Sequence, residues 1–295
     1  ARPQNFCQVE TTVDGPVFAT PRGWEDLSRF LTVYEKLGLS CDREVVAQYI
    51  PHGRIARDFA SYLELYYKYQ AHYQIDEALS GRRSEALLEQ AARAPFDEKL
   101  SVISLVLAKL NVEFRKTGKM EDGLELLFEK LKAFKEQLAE AGDGTPVQRL
   151  TAFTREVREE YEGKKQAGLL TRAQIHRYED ICGTLDQYLL AAGEAEAQDG
   201  ETLFGMLASR FGEEREQYED QCRAALQMVE YAFDLMEGAF GDSQEMVIFI
   251  TELNTSYDAV RFLEENPCER YYQYNRKLLF EDREADIKRK LERLL

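Results

Sequence analysis

The sequence predicts an all-α protein, with a small helical domain over residues 1–80 and a multi-helix, bundle-like extension over residues 81–295. Only 7 of the 295 residues are proline and 18 are glycine, so the residues that interrupt helices are scarce. Apolar side chains recur at spacings of three and four along most of the chain, which is typical of helices. A chain of this length can form two compact units.

The first 17 residues differ from the rest. They contain a turn signal at Asp14-Gly15-Pro16 between β-prone flanks. We expect a loop there that leads into the first helix.

The first helix has clear start and stop signals. Thr20 is a good N-cap, and Pro21 suits the first turn because its missing N–H would have no helical partner there. Gly38 follows the last periodic residue and is a natural C-terminal glycine. We therefore predict a helix from about Pro21 to Leu37.

Two further helices complete the small domain. The second begins after Ser40 or Asp42, runs to about Tyr49 and is broken by Pro51. The third runs from about Gly53 to Tyr73.

The third helix carries an aromatic seam on one face. Such a seam could stack the bases of a single-stranded nucleic acid. Few lysines or arginines interleave, however, and aromatic stripes at helical spacing usually pack against another helix. We therefore interpret the seam as core. Its members are Phe59, Tyr62, Tyr66, Tyr69 and Tyr73.

The extension begins after Gly81 and reads as helices throughout. The apolar spacing predicts a helical hairpin that turns at Thr117-Gly118-Lys119. An acidic stretch of low apolar content, Ala191–Glu201, could be a mobile loop or a frayed helix end. The predicted helices cover residues 97–117, 121–140, 146–165, 171–190, 201–239, 244–254, 256–265 and 268–294.

Charge is distributed unevenly along the chain. The net charge is −16, yet the first 94 residues hold 11 Lys and Arg against 13 Asp and Glu, whereas the remainder holds 27 against 41. An acidic surface repels nucleic acid and anionic lipid, because such partners bind largely through phosphate neutralisation. We expect no nucleic-acid or membrane partner, although acidity also serves solubility.

The compartment is predicted to be the cytoplasm. The five cysteines are far apart and form no C-x-x-C pair, which argues against a zinc site or a disulfide framework. No apolar run reaches the length of about 18–20 residues that spans a bilayer. The chain begins with Ala1 rather than methionine, as a cut or engineered fragment would.

Arg22 is the one candidate binding residue. It lies beside the free backbone N–H groups of a helix N-terminus, where the positive end of the helix dipole and five guanidinium donors could bind a phosphate. The alternative is a local ion pair with Glu25 or Asp26. Spacing alone leaves both interpretations open.

A resemblance to a known family bears on this choice. The segment ATPRGWEDLS (residues 19–28) resembles the start of the small helical lid of MoxR-type AAA+ ATPases. The similarity continues through QYIPHGRIARDFASYLELYYKYQAHYQI, which resembles the rest of the lid. Near the C-terminus, FGDSQEMVIFITELN and YYQYNRKLLF are similar, less specifically, to the tail of the same branch.

The resemblance implies a role for Arg22 as the sensor-2 arginine, which reaches the γ-phosphate of ATP. It also implies a hexameric ring, ATP and Mg²⁺ as cofactors of the parent protein, and remodelling or metal-insertion work on partner proteins. The lid would contact the AAA+ core of the same protein. The client protein is unknown.

The catalytic parts of such an ATPase are missing from these residues. No G-x-x-x-x-G-K-[ST] phosphate loop is present. The run Met246–Leu253 superficially resembles a metal-binding strand, but it carries Thr251-Glu252 where Asp-Glu is needed, so we interpret it as helix. We assign no catalytic or metal-binding residue, and we expect this chain alone neither to hydrolyse ATP nor to bind it tightly.

Other polar residues are interpreted as structural. His52, His72 and His176 form no H-x-x-x-H motif. The adjacent glutamates Glu159-Glu160 and Glu213-Glu214 point to different helix faces and are predicted to be solvated. If the natural protein has no phosphate loop, a non-enzymatic all-α scaffold or adaptor is the alternative to the ATPase hypothesis.

Overall fold

The computed structural model describes residues 5–13, 15–39, 41–82, 84–140, 143–195 and 199–278, without the side chains of residues 70–72. Within these ranges the fold is all-α, as predicted, with one two-stranded sheet. The strands are β1 (Gln8–Thr12) and β2 (Gly15–Ala19). The helices are α1 (Pro21–Lys36), α2 (Arg43–Tyr49), α3 (Gly53–Tyr73), α4 (Ile75–Ala78), α5 (Glu85–Arg93), α6 (Phe96–Ala139), α7 (Pro146–Gln166), α8 (Arg172–Glu194), α9 (Gly200–Phe240), α10 (Gln244–Thr255), α11 (Tyr257–Glu265) and a helical stretch over 269–278 that we label α12.

The chain divides into two compact units. Unit 1 runs to Val106 and also includes Gly238–Gly241, whereas unit 2 comprises Leu107–Glu237 and the described residues from Asp242 onward. Helices α6 and α9 contribute to both units. This division leaves the predicted domain boundary near residue 80 untested, so that boundary stays a prediction.

The start of the chain forms a hairpin where a loop was predicted. Strand β1 pairs antiparallel with β2, so that Gln8 lies opposite Ala19 and Thr12 opposite Gly15. Gly15 has a φ of +116°, a backbone conformation that favours glycine. The chain reverses close to the predicted turn at Asp14-Gly15-Pro16, but Gly15 and Pro16 already belong to β2, and Asp14 lies outside the described residues. The prediction missed that the β-prone flanks pair with each other.

The start of α1 lies very close to the end of α2. A Cβ added to Gly23 would lie 2.5 Å from the carbonyl oxygen of Tyr49, so this approach requires glycine. The Thr20 hydroxyl accepts a hydrogen bond from the Gly23 amide at 3.1 Å, which confirms Thr20 as the N-cap. Helix α2 is capped by Asp42 and ends before Pro51, as predicted.

A small hydrophobic core joins the hairpin to α1, α2 and α3. The only tryptophan of the chain, Trp24, packs edge-on against Phe59 at 5.0 Å between ring centroids. The Trp24 indole N–H also donates to the Asn5 carbonyl at 3.1 Å. The buried members of this core are Ala19, Leu27, Val46, Ile50, Ile55 and Ala56.

The aromatic seam of α3 belongs to the core at its two ends but not in its middle, so the prediction is only partly right. Phe59 packs against Trp24 in the small core. Tyr73 is 1% exposed, but Tyr62 is 50% exposed, and Tyr66 and Tyr69 are only half-buried. Tyr62 and Tyr66 contact each other along the helix, with ring centroids 6.1 Å apart. The helix also buries Ile55, Ala56 and Leu63, beside Phe59. Aromatic spacing alone does not say which stripe meets the neighbouring helices.

Helix α6 runs without interruption over 44 residues, so the predicted hairpin with its turn at Thr117-Gly118-Lys119 is wrong. The Thr117 hydroxyl bonds back to the Phe114 carbonyl at 2.8 Å instead of capping a new helix. Glycine costs about 1 kcal/mol in a helix interior. Side chains packed along both halves of α6 outweigh that local preference.

Helices α6 and α9 pair antiparallel in unit 2. The Lys116 ammonium donates to Gln221 at 2.5 Å, and the Phe128 and Phe211 rings lie 6.0 Å apart. Further along, the Lys135 ammonium lies 5.0 Å from the centre of the Phe204 ring. Later residues of α6 therefore contact earlier residues of α9, which is the order expected of an antiparallel pair.

Among the described residues of unit 2, we distinguish two groups of buried side chains along this helix pair. The first group lies among α6, α7, α8 and the first part of α9. The second includes stacked Phe114 and Phe262, 4.8 Å apart, and the Phe233–Phe249 pair. The fully or nearly fully buried members of the first group are Leu127, Leu131, Phe134, Leu150, Phe153, Val157, Tyr161, Tyr178, Ile181, Cys182, Leu185, Tyr188, Ala192, Leu203 and Leu207.

Two predicted segments of unit 2, the acidic stretch 191–201 and the helix 268–294, lie only partly within the described residues. Helix α8 extends to Glu194 and α9 begins at Gly200, so the acidic stretch is mostly helix ends, while residues 196–198 lie outside the described residues. The predicted helix 268–294 is described as helix only over 269–278. Within that stretch Arg270 donates to Asp234 at 2.7 Å and lies 3.3 Å from Glu230.

The close approach at Gly23 makes a stability prediction. We expect Gly23→Ala to destabilise unit 1 by about 2 kcal/mol, because the added methyl group meets the Tyr49 backbone oxygen. Trp24 fluorescence during urea unfolding reports on unit 1, since it is the only tryptophan. Gly53→Ala is the matched control, because a Cβ there has nothing within 4 Å. Equal stability of the two variants would contradict the packing argument.

Candidate functional site

Arg22 occupies the second position of α1, directly after Pro21. Its side chain is 76% exposed. The backbone beneath it is well fixed, because Thr20 caps the helix and Gly23 lies against Tyr49. The geometry therefore presents an accessible guanidinium on a rigid helix start.

The guanidinium of Arg22 has a local partner. Its Nε donates to the Asp26 carboxylate at 2.9 Å, and the pKa of Arg22 is raised by this hydrogen bond and by the charge of Asp26. Arg29 donates to Glu25 at 2.6 Å and lies 4.0 Å from Asp26. The ion pair that was the alternative to a phosphate site is thus present.

This ion pair does not exclude phosphate binding. Exposed i,i+4 pairs contribute only about 0.3–0.5 kcal/mol, since solvent screens both charges. A phosphate offers three acceptor oxygens and a larger charge to the same fork of donors. Asp26 could keep Arg29 as a neighbour if Arg22 moved to a phosphate.

His52 has a structural position. It is 2% exposed, and its Nδ1 accepts a hydrogen bond from the Ile55 amide at 3.4 Å at the start of α3. Its Nε2 lies 3.1 Å from a carboxylate oxygen of Glu10, an ion-pair distance without hydrogen-bond alignment. The His52 amide donates to the Phe18 carbonyl at 3.1 Å, so this residue joins the hairpin to α3.

The other sequence candidates are dispersed. His176 is exposed and lies 3.3 Å from Glu179, whereas the side chain of His72 is outside the described residues. The run Met246–Leu253 is helical, as predicted, and lies within α10. Across the described part of the chain, no three His, Cys, Asp or Glu side chains are grouped to hold a metal ion, and no helix there is both long and apolar enough to cross a membrane.

Cavities in the described part of the chain lie away from Arg22. A groove of about 520 Å³ in unit 1 is lined by Tyr73, Glu89, Gln90 and Arg93 among others, and the Tyr73 hydroxyl donates to Glu98 at 2.6 Å within it. A narrower cavity in unit 2 lies beside Arg261. Arg22 lines neither of them.

The sequence analysis missed a charged network in unit 2. Glu160, predicted to be solvated, accepts hydrogen bonds from Lys130 at 2.7 Å and Lys164 at 2.6 Å. The Tyr161 and Tyr178 rings stack beside it, with centroids 5.6 Å apart. The i,i+4 spacing of Glu160 and Lys164 is visible in the sequence, but the reach of Lys130 from α6 is not.

The environment of Glu160 lowers its pKa strongly. Partial burial alone would raise this pKa, yet the hydrogen bonds from Lys130 and Lys164 outweigh it and bring the value to about 2. The neighbouring Glu159, by contrast, is exposed and lies 4.0 Å from Arg155 of the same helix, a long distance for an ion pair. Every charge of the network has a partner, so its role is to join α6, α7 and α8.

Acid should weaken this network. A carboxylate whose pKa is depressed in the folded state stabilises the fold above its unfolded pKa, and that contribution is lost as the pH falls from about 5 towards 2. We expect Glu160→Gln to lower the stability of unit 2 by about 1 kcal/mol at pH 7 and to flatten the acid dependence below pH 5. Circular dichroism during urea unfolding at pH 7 and pH 3.5 measures both effects.

Glu159→Gln is the control for this experiment. It removes a neighbouring carboxylate that bridges no helices, so stability and its pH dependence should stay close to those of the wild type. A Glu160→Gln variant with an unchanged pH profile would contradict the network argument.

Comparisons with protein-family models, with curated proteins and with solved structures find no match for this chain.

Proposed function

We propose that this chain is the C-terminal lid and partner-binding region of a MoxR-like AAA+ ATPase whose ATP-hydrolysing core lies outside these residues. The parent protein would remodel partner proteins in the cytoplasm as a hexameric ring. The observation that carries the proposal is the exposed Arg22 guanidinium on a capped and tightly packed helix start.

In this proposal Arg22 acts on the γ-phosphate of ATP. The nucleotide, with Mg²⁺, supplies the phosphoanhydride bond that is hydrolysed, and the core supplies the phosphate loop. Arg22 would leave Asp26 and stabilise the negative charge on the phosphoryl oxygens. The fixed backbone of α1 would transmit the presence or loss of the γ-phosphate to unit 1.

A substitution in the full-length protein tests this role. We expect Arg22→Ala to slow ATP hydrolysis at least about tenfold, because one charge-assisted contact to the transferring group is lost. ADP affinity should change much less, since ADP has no γ-phosphate. Steady-state hydrolysis and calorimetric ADP binding measure the two effects.

Arg29→Ala is the matched control. Arg29 lies on the same helix and also forms an exposed i,i+4 ion pair, with Glu25, but it is two turns from the helix start. Unchanged hydrolysis by Arg22→Ala, or equal losses in the two variants, would favour the local ion pair as the whole role of Arg22.

The alternative is a non-enzymatic all-α scaffold or adaptor. The Arg22–Asp26 ion pair favours it, because that pair accounts for Arg22 without any ligand. The coding sequence upstream of Ala1 separates the two hypotheses. A phosphate loop there supports the ATPase, and a continuous reading frame without one supports the scaffold.

The acidic extension is proposed to bind a basic protein partner. Beyond residue 94 the chain carries a charge of −14, and α9 exposes Glu213, Glu216, Glu219 and Asp220 in one short stretch. Charge complementarity of this kind accelerates association and weakens as salt screens it.

Salt dependence tests the partner proposal. We expect the amount of lysate protein retained by the immobilised chain to fall roughly tenfold when the salt concentration rises from 50 mM to 500 mM. The double variant Glu213→Gln/Glu216→Gln should retain less protein than the wild type at 50 mM salt. Glu44→Gln/Glu64→Gln is the control, because it changes the net charge equally on exposed sites of unit 1. Salt-independent retention, nucleic acid as the main captured species, or equal effects of the two double variants would contradict the proposal.

A further inference from the structure

The middle of α6 is less deeply buried than the stretches on either side of it. Between Thr117 and Leu127, no side chain of the helix is buried. This stretch also contains Gly118 and Gly123. It separates the two groups of buried side chains in unit 2, since Phe114 belongs to the second group and Leu127 to the first.

The two glycines have no steric reason to be glycine in this conformation. A Cβ at Gly123 would meet nothing within 4 Å, and one at Gly118 would make an ordinary contact of 3.5 Å with Arg261. Both residues have helical backbone, without positive φ. Each glycine therefore weakens the helix by about 1 kcal/mol relative to alanine without any packing gain.

The facing part of α9 is packed in the same way. From residue 208 through residue 221 none of its side chains is buried, whereas Leu207 and Cys222 at the two ends are. Polar contacts bridge the gap, among them the Lys116–Gln221 hydrogen bond. Fully buried side chains thus lie towards the two ends of the helix pair, and its middle is held by half-buried side chains such as Phe211 and by polar contacts.

Arg261 is the centre of a second set of polar contacts, between α11 and the middle of α6. From α11 it donates to Glu121 at 2.5 Å and to Asp122 at 2.8 Å, both on α6. Arg177 of α8 donates to Asp122 from the other side. Only 27% of the Arg261 side chain and 19% of the Glu121 side chain are exposed, so these bonds are better shielded than surface ion pairs.

We propose that residues 117–123 of α6 are a hinge between the two halves of unit 2, and that Arg261 holds this hinge in its helical state. The glycines lower the cost of local opening, and the absence of fully buried side chains between Thr117 and Leu127 lowers the hydrophobic penalty for it. Loss of the bonds from Arg261 leaves Glu121 and Asp122 without their cationic partner from α11. The proposal concerns this chain alone and does not rest on the proposed function.

Hydrogen exchange on the full chain tests the hinge. In the wild type, amides of residues 118–126 should exchange faster than those of the flanking α6 stretches 102–112 and 128–136. Arg261→Gln should accelerate exchange in 118–126 by roughly tenfold or more, and leave the flanking stretches within about twofold.

Arg115→Gln is the matched control. Arg115 also bonds from α6 to α11, through Asp258 at 3.2 Å, but it lies outside the hinge and is 63% exposed. This variant should leave the exchange of 118–126 unchanged. Uniform acceleration across unit 2 by Arg261→Gln, or the same effect from Arg115→Gln, would overturn the proposal.

A second variant keeps the test decisive if Arg261→Gln does not fold. Gly118→Ala/Gly123→Ala should fold at least as well as the wild type and slow exchange in 118–126 by roughly tenfold relative to the flanks. Unchanged exchange in that stretch would show that it does not open from the native state, and would also overturn the hinge.

Discussion

The antiparallel pairing of α6 and α9 is the constraint on which unit 2 depends. Two helices of 44 and 41 residues run alongside each other, and shorter helices pack near their ends. Because Phe128 meets Phe211 and Lys116 meets Gln221, the register of the pair is fixed at several points. This register decides which side chains of α7, α8, α10 and α11 find a hydrophobic partner. A shift of one turn would break both groups of buried side chains.

Helix ends were the most predictable part of the fold. Thr20, Pro21 and Pro51 act through local backbone chemistry, so their neighbours in sequence suffice to place α1 and α2. The break predicted at Gly118 failed for the opposite reason, because long-range packing along α6 outweighs a local preference of about 1 kcal/mol. The hairpin at residues 8–19 was missed since pairing between two strands is not a property of either strand alone.

Among the polar contacts, too, those between residues close in sequence could be predicted, and those between distant residues could not. The Arg22–Asp26 pair could be anticipated from its i,i+4 spacing, and the sequence analysis did name it as an alternative. The contacts of Glu160 with Lys130 and of Arg261 with Glu121 join residues 30 and 140 positions apart, and no local pattern indicates them. The aromatic seam of α3 shows the same limit, because periodicity identifies a face but not what covers it.

The salt bridges of Arg270 have a consequence for biosynthesis. The first buried group of unit 2 draws on residues 127–207, a continuous stretch, whereas the second combines Phe114 with residues as late as Tyr274. As the chain leaves the ribosome, Glu230 and Asp234 emerge well before their arginine. The continuous half can thus fold first, and the other half is completed only after Arg270 and Tyr274 have been made.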